Sequence, residues 1–314
     1  MTLPVHPIAI PTPFPVGPVN AYLLPHEPVT LVDPGPKTAP ARAALQAGFE
    51  AAGVPLRALR RIILTHGHTD HFGLAAELAA ETGATVYAHP DDAPKFSGER
   101  TFTSHLLDFL RQHGAPEELG PLVIEALRAM RPLMDPLTDF EPLLEGMRLS
   151  CGNDHLTVLH TPGHSAGHIC LRVDEAIIAG DVLLEAVSPN PLLEFGPGGQ
   201  RIRTLPLLLD SLRRLLQLNP VQVFPGHGEP FGPAAPRIHR LLEHHAQRQE
   251  RVVALLGGSP QQAFDLSRAL FPDVDPLNRL LALSEVNGHL DLLVAAGRVV
   301  ETVEGGRVFY RRRD

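Results

Sequence analysis

Two cysteines, Cys151 and Cys170, are all that 314 residues contain. They cannot build a disulfide framework, so packing must hold the chain together. Long apolar runs are missing as well. No stretch of about 18 apolar residues occurs, and no charged segment followed by an apolar one opens the chain, so neither a spanning helix nor a secretion signal is expected. The expected location is the cytoplasm, with no membrane partner. Positive charge is also short: 27 Lys and Arg stand against 35 Asp and Glu, a net charge of -8. That balance argues against a general affinity for nucleic acid or anionic lipid.

Proline and histidine are plentiful, at 32 and 17 residues. Proline is about twice its usual share. His6, His26, His105, His113, His239, His244 and His245 are expected to be solvated or to cap elements. Others cluster. Thr65-His66-Gly67-His68-Thr69-Asp70-His71 packs three imidazoles and a carboxylate into six residues. It lies between the apolar run 61–64, read as a buried strand, and 74–80, read as a helix. In a turn, His66 and His68 can converge on one ion while Asp70 and His71 aim beside it. Neutral imidazole and carboxylate suit Zn and also Fe or Mn. An ordinary polar loop would gain nothing from so many titratable rings.

Three more pieces follow the same rule. His160-Thr161-Pro162-Gly163-His164-Ser165-Ala166-Gly167-His168 comes after the apolar run 156–159, Gly180-Asp181 after 176–179, and Pro225-Gly226-His227-Gly228 after 221–224. Every candidate ligand lies just past a short apolar strand, which is one rim of a sheet.

The order HxHxDH, PGH, GD, PGHG resembles the metallo-β-lactamase superfamily over roughly the first three quarters of the chain. The resemblance implies an α/β fold, an αββα four-layer sandwich with metals at one edge. It implies one ion held by His66, His68 and His164, a second by Asp70, His71 and His227, and Asp181 bridging them. Zinc is the foremost expectation, with iron or manganese as alternatives. Asp70 would also orient the nucleophilic water. Asp33 is expected to support the metal loop by hydrogen bonding, although a turn-forming role is open. His168 stays outside the ligand set, as a group that orients a ligand, donates a proton or caps the next strand.

Along the chain, residues 4–18 are punctuated by proline and read as an edge strand. Strands are expected at 19–24, 29–32, 84–88 and 169–173, and helices at 39–52 and 205–218. Two helical patterns, 102–113 and 121–133, interrupt the rhythm. They place a helical insertion at about 91–145, read as a lid or substrate wall, with Phe96, Phe102, Phe109, Met130 and Met134 lining an apolar pocket. Residues 183–200 read as a loop at the mouth of the site, with Asn190 and Glu194 as substrate contacts. Domains are expected at 1–235 and 236–314. The second, three helices and a hairpin, resembles the winged helix appended to some lactamase-like hydrolases. Its third helix would bury Leu283, Val286, Leu290 and Leu293 and turn Glu285, Asn287, His289 and Asp291 to solvent. A groove reader needs cations and amides there, so packing or a homodimer contact is the favoured role.

Two divalent ions sharing a carboxylate lower the pKa of a water between them from 15.7 to about 7. The expected enzyme is therefore a dinuclear hydrolase using a metal-bridging hydroxide on an ester- or thioester-type carbonyl of a small-molecule substrate. The stretch 160–170 is similar to the corresponding segment of glyoxalase II, but the C-terminal region lacks that group's basic glutathione-binding module. An endoribonuclease hydrolysing single-stranded RNA, as in the winged-helix branch, is the alternative, and the acidic charge speaks against it.

Overall fold

The computed structural model describes residues 4–98, 101–196, 198–275 and 278–313, without the side chains of 101 and 102. The proline-spaced N-terminus forms β1 (His6–Ile10), which buries Ile8 and Ile10. It takes the edge of a six-stranded sheet, where missing amides break no ladder. β2 (Val19–Leu24) and β3 (Thr30–Val32) are buried throughout. Thr38 caps α1 (Ala39–Ala51) by accepting from the Ala41 N–H at 3.2 Å, a contact worth roughly 1 kcal/mol. Ala41, Leu45 and Phe49 form its buried stripe. β4 (Arg61–Ile63) runs through α2 (Thr69–Phe72) into α3 (Ala75–Thr82), which Gly83 ends at φ +74°. β5 (Thr85–Ala88) is followed by α4 (Ala93–Ser97), α5 (Thr101–Gln112) and α6 (Leu119–Met130), and β6 (Glu141–Pro142) completes the sheet. Its order is β1-β2-β3-β4-β5-β6, antiparallel up to β3 and parallel beyond.

The second sheet holds β7 (Arg148–Cys151), β8 (Asp154–His160), β9 (Ile169–Val173) and β10 (Ala176–Gly180), and later β13 (Gln222–Pro225). Its order is β13-β10-β9-β8-β7, with β13 parallel to β10. Side-chain alternation divides the first sheet's residues between two cores. Leu31 and Ile62 pack with Leu45, Phe49 and Leu78 of the helices, while Val32 and Ile63 pack with Leu156, Val158, Ile169 and Leu171 of the second sheet. The two sheets therefore face each other, with α1 and α3 outside the first.

By its contacts the chain divides into two compact units: Met1–Gly98, Met130–Pro189 and Ser211–Ile238 form one, and Glu99–Ala129, Asn190–Asp210 and His239–Asp314 the other. The segment expected as one insertion, 91–145, is thus split. Phe96 belongs to the first core beside Phe72 and Phe140, and Met134 packs on it. Leu106, Phe109, Leu110, Leu119 and Val123 belong to a core shared with the C-terminal elements. Met130 is exposed, and the Phe102 side chain lies outside the described residues. Residues 183–200, expected as a loop, include β11 (Glu194–Phe195), which pairs with β12 (Arg201–Ile202). Glu194 is buried there, and the Asn190 amide donates to Leu281 O at 3.2 Å. α7 (Thr204–Leu218) follows.

The C-terminal elements are α8 (Ala234–Leu255), α9 (Ala263–Leu270), α10 (Arg279–Ala295), β14 (Val299–Glu304) and β15 (Arg307–Arg312). The sequence pattern places the third helix at 276–296, and its first residue, Pro276, lies outside the described residues. α10 corrects the sequence reading: Glu285, Asn287, His289 and Asp291 are all buried, like the leucines between them. The two carboxylates, the Asn287 amide nitrogen and His289 Nε2 find partners inside the unit, which offsets the cost of burial, while Asn287 Oδ1 and His289 Nδ1 have none among the described residues. Arg201 grips the Asp291 carboxylate with both terminal nitrogens, and Arg248 Nη1 lies 3.2 Å from Glu285 Oε1. His113 and His245, expected to be solvated or to cap elements, are buried. No helix among the described residues is long and apolar enough to cross a membrane.

Candidate metal centre

The C-terminal ends of β3, β4, β8, β10 and β13 deliver Asp33, the 65–71 turn, the 160–168 turn, Asp181 and His227 to one edge of the sandwich. Parallel pairing of β3 with β4 and of β10 with β13 puts those ends on one side. Asp33 turns out of its strand with φ +52°, a left-handed conformation costing on the order of 1 kcal/mol. Three hydrogen bonds hold it. Thr65 N–H and Oγ1–H donate to its two oxygens at 2.8 and 2.6 Å, and His71 Nδ1 lies 2.8 Å from Oδ2.

Those bonds fix which nitrogen each ring offers. Because Thr65 Oγ1 gives its proton to Asp33, it accepts from His66 Nδ1 at 3.0 Å, which leaves the His66 Nε2 lone pair free. His71, donating through Nδ1, likewise presents Nε2. His227 Nδ1 donates to Pro18 O at 2.8 Å, so its Nε2 also points inward. Such outer partners set the tautomer and direction of a ligating imidazole.

Two donor groups result. His66 Nε2 and His68 Nδ1 are 2.8 Å apart, and His68 Nδ1 and His164 Nε2 are 3.0 Å apart. Asp70, His71 and His227 form the other group, with Asp70 Oδ2 at 3.4 Å from His227 Nε2. Asp181 Oδ2 stands between them, 3.6 Å from His164 Nε2, 3.5 Å from His71 Nε2 and 3.6 Å from His227 Nε2. The structure thus brings all seven sequence-derived ligand candidates together.

The electrostatics fit cations. Burial first, then the neighbouring imidazoles, push His66 well below the ordinary histidine range, and burial and His164 do the same to His68. Burial opposes protonation of His71, but Asp181, Asp33 and Asp70 outweigh it and raise its pKa. Burial likewise works against ionised Asp181, yet His71, His227 and His164 hold it far below the usual carboxylate range. Among the described residues, Asp33, Asp70 and Asp181 have histidines and a threonine as side-chain partners, and no lysine or arginine. Buried carboxylates demand a counter-charge. His71 Nε2 and Asp181 Oδ1 are buried without a hydrogen bond among the described residues. Imidazole and carboxylate oxygen are the donors that Zn, Fe and Mn accept.

His168 is a brace. Its Nε2 accepts from the Asp181 N–H at 3.1 Å, so Nδ1 carries the proton and donates to Thr161 Oγ1 at 2.9 Å. Burial, then His164, hold it down to about 3. Gly180 lets it approach: at φ +48°, a Cβ there would meet His168 Nε2 at 2.7 Å. Asn20 and Tyr22, neither singled out in the sequence, brace the His227 turn by donating to Pro225 O at 3.0 and 2.5 Å. Asp92 was missed as well. Fully buried, it receives Gly67 N–H, Ser165 Oγ–H, Gly167 N–H and Lys95 Nζ. No local signal marks it, since its loop partners are 25, 73 and 75 residues away.

A face-to-face pair of sheets with histidines and aspartates from five strand ends at one edge defines a class of metal-dependent proteins. Residues 14–227 match the family model described as the metallo-beta-lactamase superfamily, and the chain belongs to that family. It is 35% identical over 312 residues to the probable metallo-hydrolase YqjP of Bacillus subtilis (strain 168), covering 97% of this chain and 96% of that one. The crystal structure of metallo-beta-lactamase family protein TTHA1429 from Thermus thermophilus superposes with a TM-score of 0.85 at 32% identity, over 98% of both chains. TTHA1623 in a di-iron-bound form matches with a TM-score of 0.50 at 30% identity, over 73% of this chain and 95% of that one. Family and relatives make this chain a metallo-hydrolase in class.

Proposed function

We propose that the chain is a dinuclear hydrolase acting on an ester- or thioester-type carbonyl of a small molecule. One observation carries the reading: Asp181 Oδ2 lies 3.5–3.6 Å from nitrogens of both donor groups, as an oxygen shared by two cations would. His66, His68 and His164 would hold one cation and Asp70, His71 and His227 the other. Zinc suits the donors, and similarity to di-iron TTHA1623 supports iron as the alternative. When bound, the pair would supply a water that deprotonates near neutral pH and a Lewis acid for a developing oxyanion.

The residues do the rest by position. Asp33 orients His71 directly and His66 through Thr65, so one carboxylate aligns a ring in each group. His168 holds the Asp181 backbone. We assign Asp70 the further task of accepting a hydrogen bond from the water. The C-terminal helices and hairpin have the order of a winged helix, read here as a packing or homodimer module. Phosphodiester binding draws on cations, and the polar positions of α10 that would have to reach a nucleic acid are buried. A carbonyl substrate is therefore favoured over RNA.

The test is a turnover screen of a thioester, a lactone, a phosphodiester and a short single-stranded RNA with wild type and His66→Ala. Ester or thioester turnover lost in the variant is expected. RNA cleavage that His66→Ala abolishes, with carbonyl substrates untouched, would overturn the proposal.

A further inference from the structure

We propose that Asp92 is the positioning residue of the His66, His68 and His164 donor group, so that one cation position depends on Asp92 and the other does not. This rests on the reading of those three histidines as ligands of one cation. One carboxylate ties together the two loops that carry them. Asp92 Oδ2 accepts from Gly67 N–H at 2.7 Å and Ser165 Oγ–H at 2.7 Å, and Oδ1 from Gly167 N–H and Lys95 Nζ, both at 2.9 Å. Gly67 lies between His66 and His68, and Ser165 adjoins His164. The two loops are brought to a spacing at which His68 Nδ1 and His164 Nε2 stand 3.0 Å apart.

The fit leaves no slack. A Cβ on Gly167 would come within 2.7 Å of Asp92 N, and one on Gly67 within 2.9 Å of Lys95 Cβ. Four donors converge on two oxygens, which only an ionised carboxylate can satisfy. An asparagine would turn an NH2 group toward at least one of them. Lys95 supplies the counter-charge that lets the carboxylate remain ionised when wholly buried. The other group has different supports: Asp33 for His71, Pro18 O for His227 and His168 for Asp181. Among the described residues no hydrogen bond joins Asp92 to Asp33, His71, His227, His168 or Asp181.

The test uses full-length wild type, Asp92→Asn and Ser165→Ala, stripped of metal and reloaded from buffered zinc. Zinc per chain is measured by mass spectrometry, and folding is checked by circular dichroism. Wild type should take up two ions. Asp92→Asn should bind one as before and the other about 10- to 100-fold more weakly. Anomalous difference maps should then keep the ion beside His71 and His227 and lose the one among His66, His68 and His164. Ser165→Ala, which removes one neutral bond, should weaken the same ion about five-fold. That variant keeps the proposal testable if Asp92→Asn fails to fold. Unchanged affinity for both ions in a folded Asp92→Asn, or in Ser165→Ala, would overturn the role of Asp92, as would loss of the ion beside His71 instead. Wild type with no ion among His66, His68 and His164 would instead overturn the ligand reading, and Asp92 with it.

Discussion

Gly226→Ala is the sharpest single perturbation of the shared carboxylate. A Cβ at 226 would sit 2.1 Å from Asp181 Oδ1, 2.9 Å from His71 Cε1 and 3.1 Å from the Gly180 carbonyl carbon. Non-bonded heavy atoms settle at about 3.5–4.0 Å, so something must move by about 1 Å or more. The backbone at 226 is held on both sides. Its N–H donates to Gly180 O at 2.7 Å, and its carbonyl accepts from Asn20 N–H at 2.7 Å. Asp181 must therefore yield, carrying Oδ2 out of its place between the histidines. Overpacking of this kind costs about 1–3 kcal/mol, and at about 1.5 °C per kcal/mol for 314 residues the melting temperature should fall by roughly 2–5 °C. A displacement of about 1 Å at reacting groups can cost about 100-fold in rate. Calorimetry, metal content by mass spectrometry and turnover of the substrate found by screening give three readouts. A folded variant with wild-type metal content and wild-type rate would refute the reasoning.

Arg248→Met leaves the buried Glu285 carboxylate with His289 and His245 as its remaining partners, and urea unfolding should report a loss of about 1.5–3 kcal/mol, the worth of a hydrogen bond to a charged group. A second prediction concerns acid. Burial first, then Arg201, hold His113 down to about 3, and burial holds His245 down to about 4, against an ordinary value of 6.5. Below pH 6.5 the unfolded chain therefore binds protons that the folded chain does not, and stability falls with pH until about pH 3–4. The slope is about 1.36 kcal/mol per pH unit for each ring, roughly 2 kcal/mol each between pH 6.5 and 5. His113→Leu should remove its share, and an unchanged difference between urea midpoints at the two pH values would count against it. Chelation should lower the melting temperature of wild type, since each ion at 100 times its Kd contributes about 2.7 kcal/mol. Asp181→Ala should respond much less to the chelator, and an equal response would separate metal from the donor groups.

The ligands were readable because each sits in a short motif directly after an apolar run. Ile62, Leu156, Ile177 and Val223 announce strands that end at the metal edge, and tight turns leave the following imidazoles little freedom. Asp33 could be assigned only through family resemblance, and its bonds to Thr65 and His71 show why a carboxylate belongs there. Asp92 was illegible for a physical reason: an aspartate after a strand has many uses, and all its loop partners are distant in sequence. α10 misled because spacing distinguishes apolar from polar positions, not exposed from buried ones. Arg201, 90 residues before Asp291, turns a polar position into an interior one. Nothing in residues 91–145 shows that Phe96 and Phe109 pack into different cores.

Anomalous diffraction from crystals of zinc-loaded wild type tests the central claim most directly. Two peaks are expected, one about 2.0–2.2 Å from nitrogens of His66, His68 and His164 and one within reach of Asp70, His71 and His227, with the Asp181 carboxylate touching both. A single peak, or two peaks with Asp181 turned away from one of them, would contradict it.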